Sequence, residues 1–240
     1  MDTLITTITY FQYYLKKKIK GLFFPSSKIL DKNIFFDTNK IQFTLAKIDN
    51  KNQLLQEIFK SLEKKSNINV NFLTKNLSYI KNKRRFDNKE VNLIKTLLQY
   101  YLPKKIRSKL CDFFFKKYIT RDIDEFSKNL YLKKEHMIEM KSEGMHFGSH
   151  GENHEYLEFL KIKDQEKEIS NSLKFLKNTF KNEENFSFCY PFGSYNKNTL
   201  KILKKYKFII GFSLKVSSIN LKKKINNFLL PRFDTNDFPQ

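Results

Sequence analysis

Gly144-Met145-His146-Phe147-Gly148-Ser149-His150-Gly151-Glu152-Asn153-His154 is the stretch on which the reading of this chain turns. Met145 to Ser149 is a short strand-like run ending in small residues, and a histidine-bearing loop follows it at once. Downstream the pattern alternates. Residues 163–180 carry Ile169, Leu173, Leu176 and Phe180 on one helical stripe. Residues 186–190 (Phe-Ser-Phe-Cys-Tyr) read as a strand stopped at Pro191, 198–205 as a helix and 208–213 as a strand. Leu229-Leu230-Pro231-Arg232 is a last extended piece. Strands alternating with helices of this kind predict an α/β fold with a parallel sheet or barrel. In such folds chemistry sits at the carboxyl ends of the strands, which is where His150 and His154 fall.

Upstream the character differs. Residues 3–18 read as a helix ending in three lysines, and 19–25 as a short strand stopped by Pro25. From about 40 to 135 the apolar spacing is helical, with helices expected at 52–64, 89–101, 104–118 and 122–132 and a break at Pro103. No repeat or low-complexity linker interrupts the chain. Residues 1–240 are therefore expected to form a single domain carrying a helical insertion at about 40–135.

Bulk composition narrows the class. The chain has 240 residues, 40% hydrophobic and 30% charged, which is a globular rather than a disordered balance. Its net charge of +21 invites an anionic partner. The lysines, however, are spread throughout in short runs and read as solvated faces, so no nucleic-acid partner is expected. Cys111 and Cys189 show no metal or redox spacing. No apolar run has the length of a membrane span. The apolar start of the chain meets its lysines after, not before, the apolar stretch, which is the wrong order for an export signal. A cytoplasmic location follows as an expectation.

Three segments carry candidate chemistry. The four histidines are His136, His146, His150 and His154, and the last two are spaced i, i+4. On one helical turn that spacing projects two imidazoles the same way, as two ligands of a zinc-like ion require. Two solvent-facing loop histidines would have the same spacing. A third ligand has four candidates, Asp2, Glu152, Asp234 and Asp237, and spacing does not choose among them. Tyr190-Pro191-Phe192-Gly193 ends a strand and offers an aromatic wall and backbone amides suited to an oxyanion, but an ordinary turn uses the same residues. Arg232 and Asp234 lie two apart and share a face if the strand is extended. They could orient a catalytic group or form a surface ion pair.

In this order, the three segments resemble the polysaccharide deacetylases of the NodB-homology type, carbohydrate esterase family four. Ser149 to His154 with Leu157 resembles that family's second motif, whose two histidines bind the metal. Tyr190 to Asn196 resembles the third motif, one side of the substrate groove. Lys20 to Phe24 resembles the strand after the first motif. The insertion starting at Asp37 and the 230–239 ending are similar to one branch of the family. The resemblance implies a distorted (β/α) barrel and a divalent metal, with zinc the expectation. It also implies removal of N- or O-acetyl groups from an acetylated polysaccharide or oligosaccharide. An aspartate would act as base, and an amide near Tyr190–Phe192 would hold the oxyanion.

The chain departs from the pattern in three places. The Thr-Phe-Asp-Asp-Gly run of the first motif, source of the base and the third ligand, is absent. The 186–190 strand has no Arg, and no His follows His154. The expectation drawn from this is that the catalytic aspartates belong upstream of Met1, so that the barrel is incomplete at its first strand and turnover is impaired. Two rival functions remain. A non-catalytic carbohydrate-binding relic of the same fold would bind glycan without releasing acetate. A basic polymer binder would lose affinity steeply with salt and would not need His150.

Overall fold

Residues 186–190 alternate large apolar and small side chains, and both faces of the strand they form are covered. Ser187–Cys189 is β3, flanked by Phe186 and Tyr190, and Phe188 is fully buried. A computed structural model describes residues 4–32, 34–66, 85–128, 130–220, 222 and 224–239. Two compact units emerge, one from the described residues of 1–34 and 128–240, the other from those of 35–127.

In the first unit Leu22–Phe23 (β1) pairs in parallel with His146–Phe147 (β2), and β3 pairs in parallel with Ile210–Phe212 (β4). Single parallel bridges link these pairs. Ser149, just past β2, bridges to Phe188, and Phe212 bridges to Leu230. The result is a row of five parallel segments in the order 22–23, 146–149, 187–189, 210–212 and 230. This is the sheet of the expected α/β class, although its strands are much shorter than the sequence runs that predicted them. Some residues beyond the strand ends still bond across the row, as the Ile209 amide does to the Phe186 carbonyl and the Ser213 amide to the Leu230 carbonyl.

Helices pack the row. Ile162–Thr179 buries Ile169, Leu173 and Leu176, the stripe its period predicts, but also Gln165, Glu168 and Ser172. Lys197–Lys205 begins at Asn196, whose side chain accepts from the Asn198 and Thr199 amides while Thr199 Oγ1 accepts from the Asn196 amide. That reciprocal cap fixes where the helix starts. Leu4–Lys16 precedes β1 and ends in the expected lysine. Two helices were not foreseen, the short Ser27–Lys32 and Lys134–Ser142. The core joins Phe147, Phe186, Phe188, Tyr190 and Phe208 to the buried face of Ile162–Thr179.

The second unit is helical in its described residues: Asp37–Lys47, Lys51–Ser66, Lys89–Thr96, Lys104–Tyr118 and Ile123–Ser127. The helix expected over 89–101 does not run through as α. It widens into a π turn at Leu97–Tyr101, where the Leu102 amide reaches back five residues to the Leu97 carbonyl and the Arg107 guanidinium donates to the Gln99 carbonyl. Pro103 follows and ends the segment. The helix expected over 122–132 shortens to Ile123–Ser127. Lys40 is mostly buried between Asp37 and Asp112, which raise its pKa against the lowering effect of burial. No helix among the described residues is long and apolar enough to cross a membrane.

Candidate active site

The site begins where Ser149 leaves the sheet. Its amide donates to the Ser187 carbonyl at 2.8 Å, and its carbonyl accepts from the Cys189 amide at 2.9 Å. This holds residue 149 in the ladder and delivers His150 to the carboxyl end of β3. Residues 150–154 then form an irregular loop, not the helical turn the i, i+4 spacing predicts. His154 lies in the left-handed region at φ 56° and Gly151 at φ 73°. Even so, the two imidazoles meet, with ring centroids 4.8 Å apart. The loop achieves by its bends what a helical turn would have done by periodicity.

His150 Nδ1 lies 2.6 Å from the Cys189 carbonyl oxygen. A carbonyl can only accept, so Nδ1 carries a proton, and in the neutral ring Nε2 holds the lone pair. Metal-binding histidines use this arrangement to fix ring orientation and tautomer. His154 has its pKa held well below the ordinary histidine value, first by burial and then by the neighbouring His150. It is therefore a neutral imidazole at neutral pH, the state that can donate a lone pair. The other two histidines go elsewhere: His136 Nδ1 accepts from the Lys133 amide at a helix start, and His146 is exposed on β2.

The loop is gripped from both sides. The amides of Ser27 and Lys28 donate to the Gly151 and Glu152 carbonyls at 3.1 and 3.2 Å, and Ser26 Oγ donates to the His150 carbonyl. From the opposite side Glu168 Oε2 accepts from the Glu152 and Asn153 amides at 3.1 and 2.8 Å, and Oε1 accepts from Asn153 Nδ2. Burial raises the Glu168 pKa, against the lowering effect of the Asn153 hydrogen bonds; Glu155 and Glu152 add to the rise. Sequence reading missed Glu168. The signal was there, an acid on the apolar stripe of an amphipathic helix.

The Tyr190–Gly193 turn lies against the pair. Phe192 packs edge-on against His154 at 4.5 Å and stacks face to face on Tyr156 at 4.0 Å; Tyr156 in turn adjoins the exposed Phe159 at 5.9 Å. Tyr156 and Phe159 were not foreseen as part of the wall. Tyr190 points into the core, and its hydroxyl donates to the Phe228 carbonyl at 2.7 Å. Pro191 has no N–H, and the Gly193 amide is spent on the Tyr190 carbonyl at 2.9 Å.

The remaining candidates are placed apart by their own bonding. Arg232 Nε donates to the Ser213 carbonyl at 3.3 Å, while Asp234 and Asp237 form a capping box around Thr235–Asp237. The structure thus gives Arg232 and Asp234 separate local tasks. Glu152 accepts from Asn153 and Asn171 side chains. Asp2 lies outside the described residues. Among the described residues no group of three or more His, Cys, Asp or Glu is placed to hold a metal ion. The donor chemistry of the pair still fits one. Two adjacent imidazoles, one tautomer-fixed and one held neutral, suit two coordination positions of a borderline divalent ion.

Comparison with known proteins identifies the family. No curated protein matches the sequence. The chain is similar to the solved Streptococcus pyogenes deacetylase PplD in complex with acetate, at 23% identity over 58% of this chain and 69% of that chain, with a TM-score of 0.41. The polysaccharide deacetylase family model matches residues 49–210, a span that contains the histidine loop and the Tyr190–Gly193 turn. Since that match covers well over half of the sequence, the chain belongs to the polysaccharide deacetylase family of hydrolases.

Proposed function

We propose that this chain is a divalent-metal-dependent deacetylase acting on N- or O-acetyl groups of a carbohydrate polymer, with His150 and His154 as two of the metal ligands. The observation that carries the reading is the meeting of those rings, 4.8 Å apart, at the end of β3, with His150 Nδ1 tied to the Cys189 carbonyl. When bound, the ion, zinc by the chemistry of imidazole donors, would polarise the acetyl carbonyl and lower the pKa of water.

The chain's own residues do the rest. His150 Nε2 and the neutral His154 offer lone pairs. Phe192 and Tyr156 form an apolar wall beside them, against which a sugar ring can lie. An amide near Tyr190–Phe192 would supply the oxyanion donor, since Pro191 has no N–H and the Gly193 amide is spent on the Tyr190 carbonyl. No Asp-Asp pair occurs in the 240 residues, and the general base has no assignment within the described residues. Slow turnover by these 240 residues is the corresponding expectation.

The test is a Zn²⁺ or Co²⁺ titration of the purified chain alongside acetate release from an acetylated chitin oligomer. Metal binding that is lost in His150→Ala and His154→Ala is the expected result. Glycan binding with no metal uptake would replace this reading with the carbohydrate-binding relic. Binding that falls steeply with salt and survives His150→Ala would replace it with a basic polymer binder.

A further inference from the structure

The loop that brings His150 and His154 together has no regular structure of its own, so something outside it must set its shape. Its carbonyls are taken by the first amides of Ser27–Lys32, and Lys28 Nζ donates to Asn153 Oδ1. The Glu152 and Asn153 amides face the other way, onto one carboxylate. We propose that Glu168 is a positioning residue for the histidine pair, a buried template whose two oxygens fix residues 152 and 153 and thereby the entry of the chain into His154. The proposal rests on the metal-binding reading of the pair.

Three features argue for it. First, the carboxylate is matched donor for donor. Oε2 takes two backbone N–H groups at 3.1 and 2.8 Å, and Oε1 takes the Asn153 side-chain amide. Second, Glu168 is one of three residues on the same helical face that track the loop. Asn171 Nδ2 donates to Glu152 Oε2 at 3.0 Å, and Ser172 Oγ meets Ser149 Oγ at 2.6 Å. Positions i, i+3 and i+4 face the same way, so one rigid helix registers residues 149, 152 and 153 at once. Third, the position opposite the carboxylate is Gly151 at φ 73°, where an added Cβ would stand 3.3 Å from Glu168 Oε2. The loop is built to approach this group closely.

The experiment uses Co²⁺ as the probe, titrated into the whole chain and followed by its visible absorption, with thermal melting as the control for folding. Glu168→Gln keeps the shape but turns an amide NH₂ toward Asn153 Nδ2, donor against donor. Asn153→Asp, at a half-buried loop position, sets a carboxylate against Glu168 and threatens the core less. Each alone should weaken Co²⁺ binding roughly ten- to a hundredfold, the scale of outer partners of metal ligands. Combined, they restore the donor–acceptor pair at this contact, although the new carboxylate at position 153 still faces Glu152 Oε2, so the double variant should bind Co²⁺ more tightly than Asn153→Asp alone and with the wild-type absorption spectrum. A merely structural role would lower the melting temperature without this reciprocal rescue of affinity. Wild-type Co²⁺ affinity in both single variants, or a double variant as weak as the sum of its parts, overturns the proposal. A wild-type chain that takes up no Co²⁺ overturns the metal reading, and this inference with it.

Discussion

Substitution of Gly151 by alanine should destabilise the chain by an amount that its backbone angle sets. At φ 73° a residue with a Cβ meets the following carbonyl, which costs about 1–2 kcal/mol. The new methyl would also stand 3.3 Å from Glu168 Oε2 and 3.7 Å from Pro191 Cγ, so the carboxylate must yield by a few tenths of an ångström. That oxygen holds the Glu152 and Asn153 amides, so the two effects act in the same direction. For a chain of this length about 1–2 kcal/mol corresponds to a fall of roughly 2–8 °C in melting temperature. A thermal melt followed by circular dichroism reads it. The ranking across substitutions is more telling than any single value. Asn tolerates the left-handed region better than Ala, and a β-branched residue tolerates it least. Stability should therefore fall from Gly through Asn and Ala to Val. An alanine variant that melts with the wild type, or a Val variant more stable than the Asn one, would refute the argument that loop geometry demands glycine here.

Two further outcomes follow from packing and charge. Phe188 is fully buried at the centre of the parallel row, so Phe188→Ala should cost about 3–5 kcal/mol, read as a drop in urea midpoint, and a loss under 1 kcal/mol would contradict its place in the core. Glu183 has its pKa lowered, chiefly by the hydrogen bond from Lys141 at 2.6 Å. A carboxyl depressed on folding adds stability above its unfolded value of 4.5, and that stability fades as pH falls below it. Lys141→Met should therefore lower stability at pH 7 by under about 1 kcal/mol, as for other partly exposed pairs, and the difference should shrink as pH falls below 4.5. A gap in urea midpoints that stays constant from pH 7 to pH 3 would remove the pair from the account.

The alternation of elements after Gly144 was legible in the sequence because apolar period reports burial directly. Ile169, Leu173 and Leu176 mark the inner face of Ile162–Thr179 wherever that helix packs, and Asn196 announces its neighbour's start through purely local bonds. The residue types at 150, 154 and 190–193 were likewise visible, as the motif that the family model also spans. Strand lengths were not, since a run such as 208–213 says which residues are apolar but not which find ladder partners. The shape of the 150–154 loop was beyond reach for a related reason. Its bends depend on Ser27, Lys28 and Glu168, groups brought to it only by the fold. Spacing alone favoured a helical turn because i, i+4 periodicity is a local property. A loop whose carbonyls at 150–152 and amides at 152 and 153 bond to distant partners takes its conformation from them, and so the encounter of the two imidazoles was decided by tertiary structure.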